Sequence, residues 1–95
     1  MALGDLVLAV SEKQIADHVL QTLKTSRYTD RNTAVRELTP LREMVGQGDH
    51  VERERADAWL AISVLHDGLR GASRDLDRHW DKAIEKTEAW QAALR

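Results

Sequence analysis

From Leu76 to Leu94 the apolar side chains fall on one line: Leu76, Trp80, Ala83, Ile84, Thr87, Trp90 and Leu94. Steps of three and four residues match the helical period of 3.6, whereas a half-buried strand needs every second residue. The same rhythm runs through Ile15, Val19, Leu20 and Leu23, through Ala34, Leu38, Leu41 and Val45, and through Val51, Ala58, Ile62, Leu65 and Leu69. A chain of 95 residues with four such stripes has room for one helical core and little else. The expected fold is all-α, an up-and-down bundle of three to four helices in a single domain over 1–95.

The punctuation between the stripes places the helix ends. Ser11 and Gln14 have the spacing of a capping box, which predicts a helix over about 12–25. Asp30 can cap a second helix. Pro40 interrupts that helix by removing one backbone donor. It therefore predicts either one kinked helix or two short ones with Thr39 capping the second. Gly46 and Gly48 close the segment. Asp49 and Glu52 suit another capping box, Gly71 ends the third stripe, and Ser73 can cap the fourth with Asp75 in its first turn. The short turn at Arg70-Gly71-Ala72-Ser73 predicts a long C-terminal antiparallel hairpin, over about 50–70 and 73–94.

Two apolar groups do not fit a single inward face. Leu60 and Val64 lie on the far side of the third helix. Leu3, Leu6, Val7 and Val10 have helical spacing, but on one straight helix they would point away from the Ile15–Leu23 stripe. A strand at Leu6–Val10 has nothing in this chain to pair with. Residues 1–10 therefore read as a separate apolar segment, helical or docked on a partner. They lack the basic start of a secretory signal, so the expected location is the cytoplasm.

Composition removes several function classes. There is no cysteine, which excludes a disulfide scaffold, thiolate metal sites and a cysteine nucleophile. No apolar run approaches the roughly 18 residues of a membrane span. The net charge of -2 argues against a dedicated nucleic-acid binder. Such binding would have to rely on Arg27, Arg31 or the strip formed by Arg74, Arg78, Lys82 and Lys86. That strip runs at four-residue steps beside Asp77, Asp81 and Glu85, and reads as a solvated face or as an electrostatic docking strip for a protein. Ten arginines against four lysines hint at a GC-rich, bacterial genome.

Four histidines, His18, His50, His66 and His79, are the remaining candidates for chemistry. His66, His79 and the nearby Asp67, Asp75 and Asp81 have the donor types of a zinc, iron or manganese site, but neither HExxH nor ExxH is present, so no metal and no cofactor are expected. His66 is expected to pack near Trp59 or Ile62. Arg74 and His79, with four residues between them, resemble the R-x4-H signature of the HEPN ribonucleases. That likeness implies a metal-independent RNA-cleaving site on one helix, with Arg74 stabilising phosphate charge and His79 as general acid and base. Glu54-Arg55-Ala56-Asp57 is similar to the second, ExxD, half-motif of MazG-like nucleotide pyrophosphohydrolases. The first half has no counterpart, since Glu37 and Glu43 are six apart and Pro40 stands three after Glu37. The Trp-x-Gly turn of the small WXG-type proteins is absent.

Trp80 and Trp90 fall within a core stripe. Trp59 lies at the edge of its own and suits an interface, where tryptophan is enriched. The leading expectation is a non-catalytic helical protein-interaction module, an adaptor, regulatory or accessory subunit bound to itself or to another protein. Its expected interface comprises Leu60, Val64, Trp59, Leu3, Leu6, Val7 and Val10. The alternatives are the HEPN-like ribonuclease and a nucleic-acid-binding regulator.

Overall fold

A computed structural model describes residues 11–46, 52–71 and 74–94. It contains four helices: α1 (Glu12–Ser26), α2 (Arg31–Gly46), α3 (Arg53–Arg70) and α4 (Leu76–Ala93). Each packs on its neighbour in sequence, and α1 closes the ring against α4. Contacts fix the directions. Arg27, at the end of α1, meets Asp77 and Asp81 at the start of α4. Gln91, near the end of α4, donates 2.5 Å to Asp17 near the start of α1. The two helices are antiparallel, and the chain is an up-and-down four-helix bundle. The leftover apolar residues Leu3, Leu6, Val7 and Val10, with Val51, lie outside the described residues.

The stripes read from the sequence supply the core. Val19 and Leu23 from α1, Leu38, Leu41 and Val45 from α2, Ile62 and Leu65 from α3, and Ala83 and Trp90 from α4 are all buried, as is Trp80. The caps of the first two helices form as expected. Gln14 N–H donates to Ser11 Oγ at 3.1 Å while Ser11 N–H donates to Gln14 Oε1 at 3.0 Å, a reciprocal box. Asp30 Oδ1 accepts from Thr33 N–H at 2.8 Å.

One pair of alternatives is decided and two local expectations are corrected. Of one helix through Pro40 or two short ones, the structure has one helix, α2, with Pro40 inside it on its exposed side. Thr39 caps no second helix, because its hydroxyl donates back to Val35 C=O at 2.9 Å. Helix α3 starts at Arg53, with Glu52 rather than Asp49 as its flanking residue, and Glu52 makes no side-chain cap. Helix α4 starts at Leu76, with Asp75 rather than Ser73 at the N-cap position. Asp49 and Ser73 themselves lie outside the described residues.

One buried cation joins all four helices. Arg55, 8% exposed, stands in the first turn of α3. Its Nε donates to Val45 C=O at 2.8 Å and its Nη2 to Met44 C=O at 3.0 Å. These carbonyls belong to the last turn of α2, where helical carbonyls lack intrahelical partners. Nη1 pairs with the Glu12 carboxylate of α1. The guanidinium lies 5.3 Å from the ring centroid of Trp90 on α4, within cation–π range. The planar, permanently charged fork of arginine serves these partners together in a way a lysine cannot.

Candidate functional site

Helix α3 buries Ala58, Ile62, Leu65 and Leu69 and leaves Leu60 and Val64 outside, 58% and 43% exposed. One turn apart, these two share a ridge. Asp57, Leu60, Ala61 and Val64, at i, i+3, i+4 and i+7, form one wall of a groove of about 250 Å³. The other wall is His79, Lys82 and Lys86 of α4, again at helical spacing. The site is an apolar floor with two ammonium groups along one edge and a single carboxylate on the other.

The sorting of α4 by sign acquires a cause here. Two of its carboxylates, Asp77 and Asp81, face Arg27 of α1. Arg27 Nη1 lies 2.8 Å from Asp81 Oδ1, and Arg27 Nη2 lies 3.7 Å from Asp77 Oδ1. The hydrogen bond to Asp81 and the two carboxylate charges hold the Arg27 guanidinium above its ordinary pKa. The basic side of α4 borders the groove. Lys82 is 3.9 Å from Glu85, an exposed and weak pair. Lys86 makes no ion pair among the described residues. Of the four cations in the expected strip, Lys82 and Lys86 meet Leu60 and Val64. Arg78 lies beside them on the exposed surface with Asp81 and Glu85. Arg74 stands in the bend before Asp75, outside the helix.

That position of Arg74 bears on the ribonuclease likeness, whose arginine and histidine share a helix; here only His79 is helical. The nucleic-acid alternative counted on Arg27, which is engaged with two aspartates. The MazG-like pattern needs clustered carboxylates. Glu37 accepts from the Ser26 hydroxyl, and no group of three His, Cys, Asp or Glu placed to hold a metal occurs among the described residues.

Trp59 does not join Leu60 and Val64. It turns to the other flank of α3, where it packs against the core. There it borders a second depression with Thr39, Arg42, Glu43, Gly46 and His66. Its indole lies so close to Gly46 that a Cβ there would sit 2.6 Å from Nε1. The Arg42 guanidinium stacks 5.7 Å from its centroid.

His66 is buried, as expected of a packing histidine. Its Nε2 is 2.9 Å from Thr39 Oγ1. With the hydroxyl proton of Thr39 assigned to Val35 C=O, Nε2–H is assigned as the donor and Nδ1 as the lone-pair nitrogen. Nδ1 has no hydrogen-bond partner; Asp67 Oδ1, at 3.9 Å, is too distant for one. Burial, then the positive charges of Arg42 and Arg70, hold the imidazole below its ordinary pKa. It is a neutral packing group between α2 and α3.

Sequence reasoning singled out Leu60, Val64, Lys82 and Lys86 as two unrelated features. It did not see that they line one groove, nor that Asp57, Ala61 and His79 complete it. The four-residue step from Asp57 to Ala61, in phase with Leu60 and Val64, is the signal that carried this.

In comparisons with known proteins, no family model, no curated protein and no solved structure matches the chain.

Proposed function

We propose that this chain is a small, non-catalytic protein-interaction module, an adaptor or accessory subunit of the cytoplasm, whose docking face is the groove between α3 and α4. The observation that carries this reading is the exposure of Leu60 and Val64 on one ridge beside Lys82 and Lys86. Large apolar side chains left together on a wet face, with a polar rim, are the usual mark of a contact surface. The cavity supports a protein rather than a small ligand. About 250 Å³ falls below the roughly 300–1,000 Å³ of drug-sized sites. No helix among the described residues is long and apolar enough to cross a membrane.

The test places a photo-crosslinking residue at position 60, at position 64, or at the exposed position 24 on α1, in cells producing the full chain. Adducts with protein at 60 and 64 but not at 24 are expected. No adduct at the groove, or equal adducts at all three positions, would refute the module reading.

A further inference from the structure

We infer that the groove between α3 and α4 receives an amphipathic helix of another protein, one that carries carboxylates along the edge of its apolar stripe. The inference rests on the module reading above and adds the chemistry of the occupant.

Shape comes first. The floor is Leu60, Ala61 and Val64, and the far wall is His79, Lys82 and Lys86. The walls belong to two antiparallel helices packed side by side, so the groove is a trough along their axes. A trough of this kind accepts a third helix that inserts apolar side chains from successive turns. The volume holds a few side chains and no more, so the anchors are two or three apolar residues at i, i+3 or i+4.

Charge selects among helices. Lys82 and Lys86 border the floor on one side, against Asp57 on the other. Of the carboxylates of α4, Asp77 and Asp81 point to Arg27 on α1, and Glu85 lies 3.9 Å from Lys82 in an exposed pair that screens it only weakly, while Lys86 makes no ion pair among the described residues. An occupant with acidic residues on the α4 side therefore gains two complementary pairs. One basic residue on its other flank would meet Asp57. A basic helix would bring like charges together in a partly desolvated groove, which disfavours it.

The same charges disfavour a second copy of this chain. Docking groove on groove would bring four lysines to one interface against two Asp57 carboxylates. The exposed apolar area of two residues per copy is small compensation for that repulsion.

The test extends the crosslinking at position 60 in the full chain. The adduct is digested and the attached segment sequenced. The experiment is then repeated with Lys82→Glu and Lys86→Glu together, and with the milder pair Lys82→Gln and Lys86→Gln. Thermal unfolding shows that the variants fold, since both sites lie on the surface. The expected result is a segment with helical apolar spacing and flanking Asp or Glu. Its yield should fall by about tenfold on charge reversal and less on neutralisation, and should fall in 1 M salt. A neutral or basic segment, or a yield that ignores both pairs of substitutions, overturns the charge argument and leaves the module reading standing. An adduct with this chain itself overturns the inference in favour of self-association. Absence of any adduct overturns both.

Discussion

Replacing Arg55 by methionine should cost this bundle about 3–4 kcal/mol. The substitution keeps an apolar stem of similar length and removes the charged, hydrogen-bonding end. What disappears is the pair of donors to Met44 and Val45 C=O, the ion pair with Glu12 and the stack on Trp90. Breaking a buried charged group away from its partners costs about 3–5 kcal/mol. The lower part of that range applies, because the two carbonyls end a helix and Glu12 is partly exposed, so water can reach all three. Against a total stability of about 5–10 kcal/mol for a domain of this size, the loss is large. With a urea slope of about 1.5–2 kcal/mol/M, the midpoint should drop by about 2 M. Arg55→Lys should recover less than half, since one ammonium cannot serve two carbonyls, a carboxylate and a ring in that geometry. Glu12→Gln alone should cost about 1 kcal/mol. Urea denaturation followed by circular dichroism reads all three variants. A loss below 1 kcal/mol in Arg55→Met, with an unchanged slope, would show that the guanidinium does not join the helices.

Gly46→Ala sets helix propensity against packing. Alanine favours the helix by about 0.5–1 kcal/mol, but its Cβ would lie 2.6 Å from Trp59 Nε1 and 3.0 Å from Cδ1. The indole is held by the core behind it and by Arg42 in front, so the net effect should be a loss of about 1 kcal/mol, with a changed tryptophan emission; a gain in stability would refute this packing. His66 is held below its ordinary pKa by burial. As pH falls below about 6.5, the unfolded chain takes up a proton that the folded chain refuses, and stability drops. His66→Gln, which keeps a donor for Thr39, should remove that part of the slope in urea midpoints compared at pH 7.5 and 5.5; an identical slope in both proteins would contradict the assignment. Leu60→Ser with Val64→Ser should leave stability within about 0.5 kcal/mol per site of the parent, while abolishing adducts from a crosslinker at Asp57, which lines the same groove and is not buried. A large loss of stability would mean that the two side chains serve the fold rather than a partner.

The helices and their two N-terminal caps were legible because each depends on neighbours in sequence. Ser11 needs only Gln14, and Asp30 needs only Thr33. The starts of α3 and α4 were less so. Around 47–52 and 71–75 the sequence offers several residues able to cap, and the residues that flank the observed helices, Glu52 and Asp75, form no side-chain cap of their own helix. Local capping preference therefore does not by itself choose these boundaries.

The polar residues of the interior show how much further the pattern could have been pressed. Arg55, Ala58, Ile62, Leu65 and Leu69 keep the steps i, i+3, i+7, i+10 and i+14, so Arg55 stands on the buried stripe despite its charge. Ser26 extends Ala16, Val19 and Leu23 in the same way, and it too is buried, donating to Glu37. Periodicity decides where a side chain points, and charge decides what it must find there. The register of Arg55 demanded partners, but Glu12 is 43 residues away and no spacing rule reaches that far. Leu60 and Val64 are the converse case. They are apolar by type and external by register, and nothing in this chain's described residues covers them. A buried charge that finds partners on every side and an apolar ridge that finds none have the same origin in helical phase. The first is satisfied within the fold, and the second directs attention to another molecule.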